Sequence, residues 1–221
     1  MNVLVLDIGG TNLKFRLSSQ LGKFKIPTGP QYTPEQMMDE LGEEIEPWDY
    51  DVVTAGVPAP VVDGRIDSEP QNLGLGWMGF CFEEAFKCPV RLINDAAMQA
   101  VGCYEGGRML FLSLGTGLGS ALIVDYHVVP LELCGLRWSE TQTLEDRVGK
   151  AALLSLGRDA WEEGVLASVA MLRNAFVPDS IVIGGGAAKF LGPLPADVRV
   201  GHNNHALDGG EMLWNDERFR I

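Results

Sequence analysis

The chain has 221 residues, with 17 Lys and Arg against 30 Asp and Glu, a net charge of −13. At roughly 100–200 residues per domain this is one large domain or two small ones, and a hydrophobic fraction of 46% supports a core and argues against disorder. Nucleic acid and anionic membrane surfaces are polyanions, so so acidic a chain is expected to bind neither.

Residues 2–8 are a short apolar run ending in Asp7 and two glycines, the pattern of a buried strand leaving a sheet through a tight turn. Leu13, Phe15 and Leu17 then alternate with Lys14, Arg16 and Ser18, which completes a hairpin tipped by Gly9, Gly10, Thr11 and Asn12. Thr33-Pro34-Glu35-Gln36 is a capping box with proline at the first helical position, predicting a helix to about Glu46. Strands are predicted at 51–56 and 90–93, with a further strand at 61–66 turned by Asp63-Gly64. Asp95 is placed to cap a helix over 96–104.

Gly106-Gly107 interrupts the pattern, and the opening motif then recurs in outline. Met109–Leu114 is an apolar strand, Gly115-Thr116-Gly117-Leu118-Gly119 a turn, and Ala121–Val124 a strand again. Two such units half a chain apart read as a duplicated architecture, with domains at 1–106 and 107–221. Leu144, Val148, Ala151 and Ala152 predict a helix ending before Gly157. Asp159 to Glu162 repeats the capping-box spacing ahead of a long apolar stripe from Trp161 to Leu172. A strand at 180–183 enters Gly184-Gly185-Gly186 and a short helix, and a last short helix follows Ala206. Interleaved strands and helices make the class α/β. The cysteines Cys81, Cys88, Cys103 and Cys134 form no CxxC pair and no zinc-finger spacing, which predicts no structural metal and reduced thiols in a cytoplasmic protein. The N-terminus lacks the features of a signal peptide and no stretch is long and apolar enough to span a membrane.

Chemistry concentrates at three glycine turns and one aspartate. Glycines let backbone N–H groups approach an anion without Cβ obstruction, so Gly9 and Gly10, with Thr11 and Lys14, form a candidate phosphate cradle. Asp7 at the strand's end suits Mg²⁺ held through water. Gly115, Thr116 and Gly117 form a second cradle, and Gly184, Gly185 and Gly186 a third turn at a strand-to-helix junction. Each alone reads equally as a plain structural turn; three together favour a nucleotide or polyphosphate ligand. A carboxylate at the carboxyl end of a strand is where an open α/β protein places functional groups, so Asp95 is a candidate general base. By spacing alone, Asn94-Asp95 reads as an ordinary helix cap.

Asp7–Lys14, Gly56-Val57-Pro58-Ala59-Pro60-Val61, Asn94-Asp95, Leu114–Gly119 and Ile183–Gly186 occur in the order found in the ROK (repressor, open reading frame, kinase) sugar kinases. The chain resembles that family, and within it the compact polyphosphate-glucokinase branch. The resemblance implies an actin-like ATPase (ribonuclease H-like) fold of two duplicated α/β halves around a cleft. It implies transfer of the terminal phosphoryl of ATP, or of polyphosphate, with Mg²⁺, to a hydroxyl of a glucose-like hexose. Gly9, Gly10, Thr11, Lys14, Gly115, Thr116 and Gly117 would contact donor phosphates, and Gly184, Gly185 and Gly186 the nucleoside end. Asp95 would be the catalytic base, with Asn94, Asn72 and Glu132 on the sugar. A homodimer is the assembly the family suggests.

Two departures qualify the sugar site. Where the family places a histidine shortly after its glutamate, the chain reads Glu132-Leu133-Cys134-Gly135, with Arg137 and Trp138 next along the chain. The usual glycine after Pro58 is Ala59. A catalytically degenerate sugar- or nucleotide-binding sensor is therefore the competing expectation. Long polyphosphate calls for a basic groove, and the local candidate is Lys14, Arg16, Lys23 and Lys25.

Overall fold

An apolar run without alternation is buried on both faces. Val3–Ile8 (β1) accordingly lies in the middle of a five-stranded sheet in the computed structural model, which describes residues 1–20, 22–202 and 204–221. Asn12–Leu17 (β2) returns antiparallel beside it with the expected alternation, and Phe24–Pro27 (β3) adds an edge. Thr33 caps Pro34–Ile45 (α1) reciprocally: Gln36 N donates to Thr33 Oγ1 at 3.3 Å and Thr33 N to Gln36 Oε1 at 3.1 Å. Val52–Val57 (β4) is followed by the small hairpin Val61–Val62 (β5) and Arg65–Ile66 (β6), then Phe82–Phe86 (α2), Val90–Asn94 (β7) and Asp95–Gly102 (α3). β4 and β7 run parallel to β1, giving the order β3-β2-β1-β4-β7.

The second half contains Arg108–Leu114 (β8), Leu118–Val124 (β9), His127–Leu131 (β10), Leu144–Val148 (α4), Lys150–Leu156 (α5), Arg158–Phe176 (α6), Ser180–Gly184 (β11) and Val198–Val200 (β12). Its sheet order is β10-β9-β8-β11-β12, again an antiparallel hairpin on one side of the first strand and two parallel strands on the other. The duplication therefore extends from the glycine turns to the whole five-stranded topology. The last helix is His205–Asn215 (α7). Met1–Gly102 and Ala206–Glu217 make up one unit, and Cys103–His205 and Arg218–Ile221 the other. Among the described residues no helix is long and apolar enough to cross a membrane.

In the first unit Leu4, Leu6 and Ile8 face α1, whose Met37, Leu41 and Ile45 are buried with Trp77, Phe82 and Phe86. The opposite face is covered by α3 and α7. Gly209 and Gly210 of α7 come so close that a side chain on the first would strike Met98 O and one on the second Val5. Thr54, fully buried on β4, donates to Gly210 O at 2.7 Å and accepts from Trp214 Nε1 at 2.9 Å. In the second unit Trp161 is fully buried, and its indole N–H donates to Val148 O at 2.7 Å.

Several local expectations change. The helix predicted from Leu144 is two helices, α4 and α5, separated at Gly149, where a Cβ would come within 2.9 Å of Glu145 O. Asp159 does not cap α6. The helix starts at Arg158 behind Gly157, whose φ of 78° turns the chain, and Glu162 instead accepts from Gly192 N at 2.6 Å. The cap of α3 is Asn94 rather than Asp95: Asn94 Oδ1 accepts from Ala96 N at 3.0 Å and Ala97 N at 3.1 Å.

The Thr54 hydroxyl is the polar link between β4 and α7. Thr54→Val leaves the Gly210 carbonyl and the Trp214 indole N–H without that partner, and is expected to cost about 1–3 kcal/mol of stability, read as a lower midpoint in chemical denaturation at an unchanged slope.

Candidate active site

In the first unit, the ends of three parallel strands gather the expected residues. Asp7 is the penultimate residue of β1 and pairs in register with Lys14 on β2 and with Gly56 on β4. Paired residues point to the same face, and Lys14 Nζ sits 2.6 Å from Asp7 Oδ2. Asp7 is 7% exposed, a charge accommodated near the interior by that ion pair. In the turn that follows, Gly9 N–H is already bonded to Asn12 O at 3.1 Å. The N–H groups of Gly10 and Thr11 have no acceptor among the described residues. The outward donors of the first turn are therefore Gly10, Thr11 and Lys14, and Gly9 serves the hairpin.

Gly56 fixes where the aspartate stands. A Cβ there would strike the Met98 thioether methyl and lie 3.4 Å from Asp95 Cα. The start of α3 thus rests on the end of β4, on the face that carries Asp7. Asn94 is 6% exposed, and besides capping α3 it donates from Nδ2 to Ala59 O at 3.3 Å. This buried amide orients the strand-to-helix junction. Asp95 is half-buried, and its Oδ1 accepts from Ala96 N at 2.8 Å. Asn72 is exposed in the loop after β6 and lies directly against Gly10.

In the second unit the other two glycine turns lie side by side, at the carboxyl ends of the paired strands β8 and β11. Gly185 has a φ of +83°, and a side chain there would run into the backbone of Leu114. Ala187 N bonds Leu114 O at 2.9 Å. Within the second turn Gly115 N–H is bonded to Gly117 O at 3.0 Å, which leaves Thr116 and Gly117 as the N–H groups without an acceptor among the described residues.

Glu145, on α4, was not singled out by the sequence. Its Oε2 accepts from Leu118 N at 3.0 Å, and its carboxylate fills the space beside Gly117 that a Cβ would need. α4 is held by a capping box in which Thr143 N and Oγ1 both donate to Asp146 Oδ2 at 2.8 Å. The backbone and hydroxyl donors hold the Asp146 carboxyl below the usual carboxylate range. The signal available in the sequence was that Thr143-x-x-Asp146 box, which marks the short helix but not the reach of Glu145.

Glu132 follows β10. Ser120 anchors this point, donating to Leu131 O at 2.7 Å and accepting from Leu133 N at 3.2 Å. Cys134 Sγ donates to Glu132 Oε2 at 3.6 Å. Burial, Glu132 and Glu145 together push the Cys134 thiol up, so it stays a protonated donor. Trp138 faces the Arg147 guanidinium, 5.9 Å from its ring centre, and Arg137 is exposed. Among the described residues no three His, Cys, Asp or Glu side chains are grouped to hold a metal ion. A magnesium ion bound mainly by water and substrate phosphates needs one carboxylate rather than such a cage, and Asp7 is a carboxylate of that kind.

No family model matches the chain. It is 24% identical to polyphosphate glucokinase from Mycobacterium leprae, over 83% of this chain and 63% of the relative. It is 27% identical to a glucokinase from Halalkalibacterium halodurans, over 56% of this chain and 44% of the relative. The chain thus spans less than two thirds of the length of each of these relatives. Among solved structures, it is similar to the inorganic polyphosphate/ATP-glucomannokinase from Arthrobacter sp. strain KM, with a TM-score of 0.81 and 23% identity over 97% of this chain and 99% of that one. It is also similar to a ROK family glucokinase from Streptomyces griseus in complex with glucose and AMPPNP, with a TM-score of 0.76 and 17% identity over 96% and 99%. The chain has the actin-like α/β fold of the ROK sugar kinases and resembles in sequence their glucokinases, the polyphosphate-glucokinase branch included.

Proposed function

We propose that the chain is a carbohydrate kinase that transfers the terminal phosphoryl of ATP, or of polyphosphate, to a hydroxyl of a hexose. The observation that carries this reading is the arrangement at Asn94-Asp95. Asn94 caps α3 through two amides, and the half-buried carboxylate of Asp95 next to it, which also accepts from Ala96 N, stands at the end of the sheet that carries Asp7 and Lys14. The relatives add the chemistry: a polyphosphate glucokinase in sequence, and in fold a glucokinase holding glucose and AMPPNP.

In this reading Asp95 takes the proton of the sugar hydroxyl as its oxygen attacks phosphorus. Asn72 and Glu132 hold other hydroxyls, and Asn94 keeps Asp95 in place from behind. Gly10, Thr11 and Lys14 in the first unit, and Thr116 and Gly117 in the second, donate to donor phosphates, with Gly184, Gly185 and Gly186 at the nucleoside end. Fixed N–H groups stabilise charge that develops on the transferring phosphoryl without having to reorganise. Asp7 would hold Mg²⁺ through water, and the ion would neutralise phosphate charge.

The basic residues of the first hairpin bear on the donor. Lys14 is paired with Asp7, and Arg16 with Asp208 and Glu211 at 2.9 and 3.3 Å. Arg16, one of the cations that a polyphosphate groove would use, is therefore neutralised within the unit. On a chain of net charge −13 this favours a magnesium nucleotide over a long polyanion.

A coupled assay with ATP and with polyphosphate across a panel of hexoses tests the reading. Sugar phosphate is expected with ATP, and its absence with both donors overturns the kinase. Asp95→Asn is expected to keep the folded circular dichroism spectrum and to lower turnover by about 10²–10⁴-fold; near wild-type turnover removes Asp95 from the role of base. Glu145→Ala frees the Leu118 N–H and loosens the second turn. It is expected to raise the donor KM about tenfold, with Glu145→Gln, whose amide oxygen still accepts, retaining most of the affinity. An unchanged donor KM in the alanine variant contradicts the part given to that carboxylate.

A further inference from the structure

The two glycines of the first turn have different surroundings. Gly9 is tied into the hairpin through its N–H to Asn12 O and through its carbonyl, which accepts from Thr28 Oγ1. A Cβ on Gly10 would stand 2.6 Å from Asn72 Cβ and 3.1 Å from Asn72 O. Neither atom is the mobile end of a side chain, so relief requires the loop or the turn to shift.

The loop is held firmly. Glu69 accepts from Gly76 N at 3.1 Å and from Trp77 N at 3.0 Å. Gly74 N and Trp77 Nε1 both donate to Tyr32 O, at 2.9 and 3.2 Å. Leu73 and Trp77 are buried. The turn is held as well, since Thr28 N donates to Thr11 O at 3.0 Å. Two pinned segments meet at Gly10, and the missing side chain is the clearance between them. The φ of Gly10 lies outside the left-handed region, so alanine there adds volume without backbone strain.

We propose that Gly10 is a positioning residue for the acceptor: it sets the place of Asn72, and through it the sugar, rather than making room for donor phosphates. This rests on the kinase reading above. Because the contact is mutual, a donor that draws on the turn also moves Asn72, and the two ligands influence each other's affinity equally.

The test is Gly10→Ala, with D-glucose and magnesium AMPPNP titrated separately by calorimetry and steady-state kinetics run alongside. Glucose KM and Kd are expected to rise about tenfold or more, as sub-ångström to ångström misplacements do, and by a clearly larger factor than the nucleotide Kd. A weakened nucleotide with unchanged glucose overturns the proposal, as does no change in either. Asn72→Gly removes the Cβ in question, so the losses in kcat/KM for glucose caused by Gly10→Ala and Asn72→Gly are expected to be non-additive; full additivity overturns it. If the single variant does not fold, a folded double variant supports the packing, and an unfolded one contradicts it. A wild-type chain that binds no hexose at all overturns the kinase reading together with this one, whereas hexose binding that Gly10→Ala leaves untouched overturns this one alone.

Discussion

Asp95 begins α3 where it does because Gly56 has no side chain. A methyl at that position would press on Met98 and crowd the Asp95 backbone, and the start of the helix would have to lift from the sheet. Gly56 also pairs with Asp7, so the same absence brings the helix start to the face that carries Asp7 and Lys14. The opposite end of α3 depends on a similar economy, since Gly209 lets α7 lie against Met98 O and the Gly102 N–H. Close packing of this kind tolerates little added volume, and it turns one unbranched backbone contact into the location of a carboxylate.

The second unit uses the same device at its glycine turns. Gly117 leaves room for the Glu145 carboxylate, and Gly185 for the end of β8. A glycine-rich turn is usually read as space for a ligand. Here much of that space is taken by the protein itself, and the outward N–H donors are fewer than the count of glycines. The turns are shaped from behind by Asn72, Glu145 and the Leu114 backbone, which makes them rigid before any anion arrives.

The strands were legible wherever they were buried on both faces. β1, β4, β8 and β11 are runs of apolar residues that end in polar or glycine punctuation. Among the edge strands β7 was legible at 90–93, whereas β3, β10 and β12 carry exposed side chains, and their neighbours in the sheet define them. Capping boxes were legible at Thr33, whose bonds are local. They misled at Asp159, where the conformation of Gly157 decides the helix start, and at Asp95, where Asn94 is buried and better placed to reach two amides. The candidate site residues stood out as an ordered set of motifs. Glu145 was not, because its partner Leu118 is 27 residues away and no periodicity links them.

The claim at the centre is that a hexose hydroxyl, not water, receives the phosphoryl group. Phosphorus NMR of the wild-type chain with magnesium ATP and a mixture of hexoses follows this directly. The expected result is a new phosphomonoester resonance that grows as the γ-phosphate signal falls and ADP appears in equal amount. Loss of the γ-phosphate solely to inorganic phosphate, or no loss with hexoses present, would contradict it.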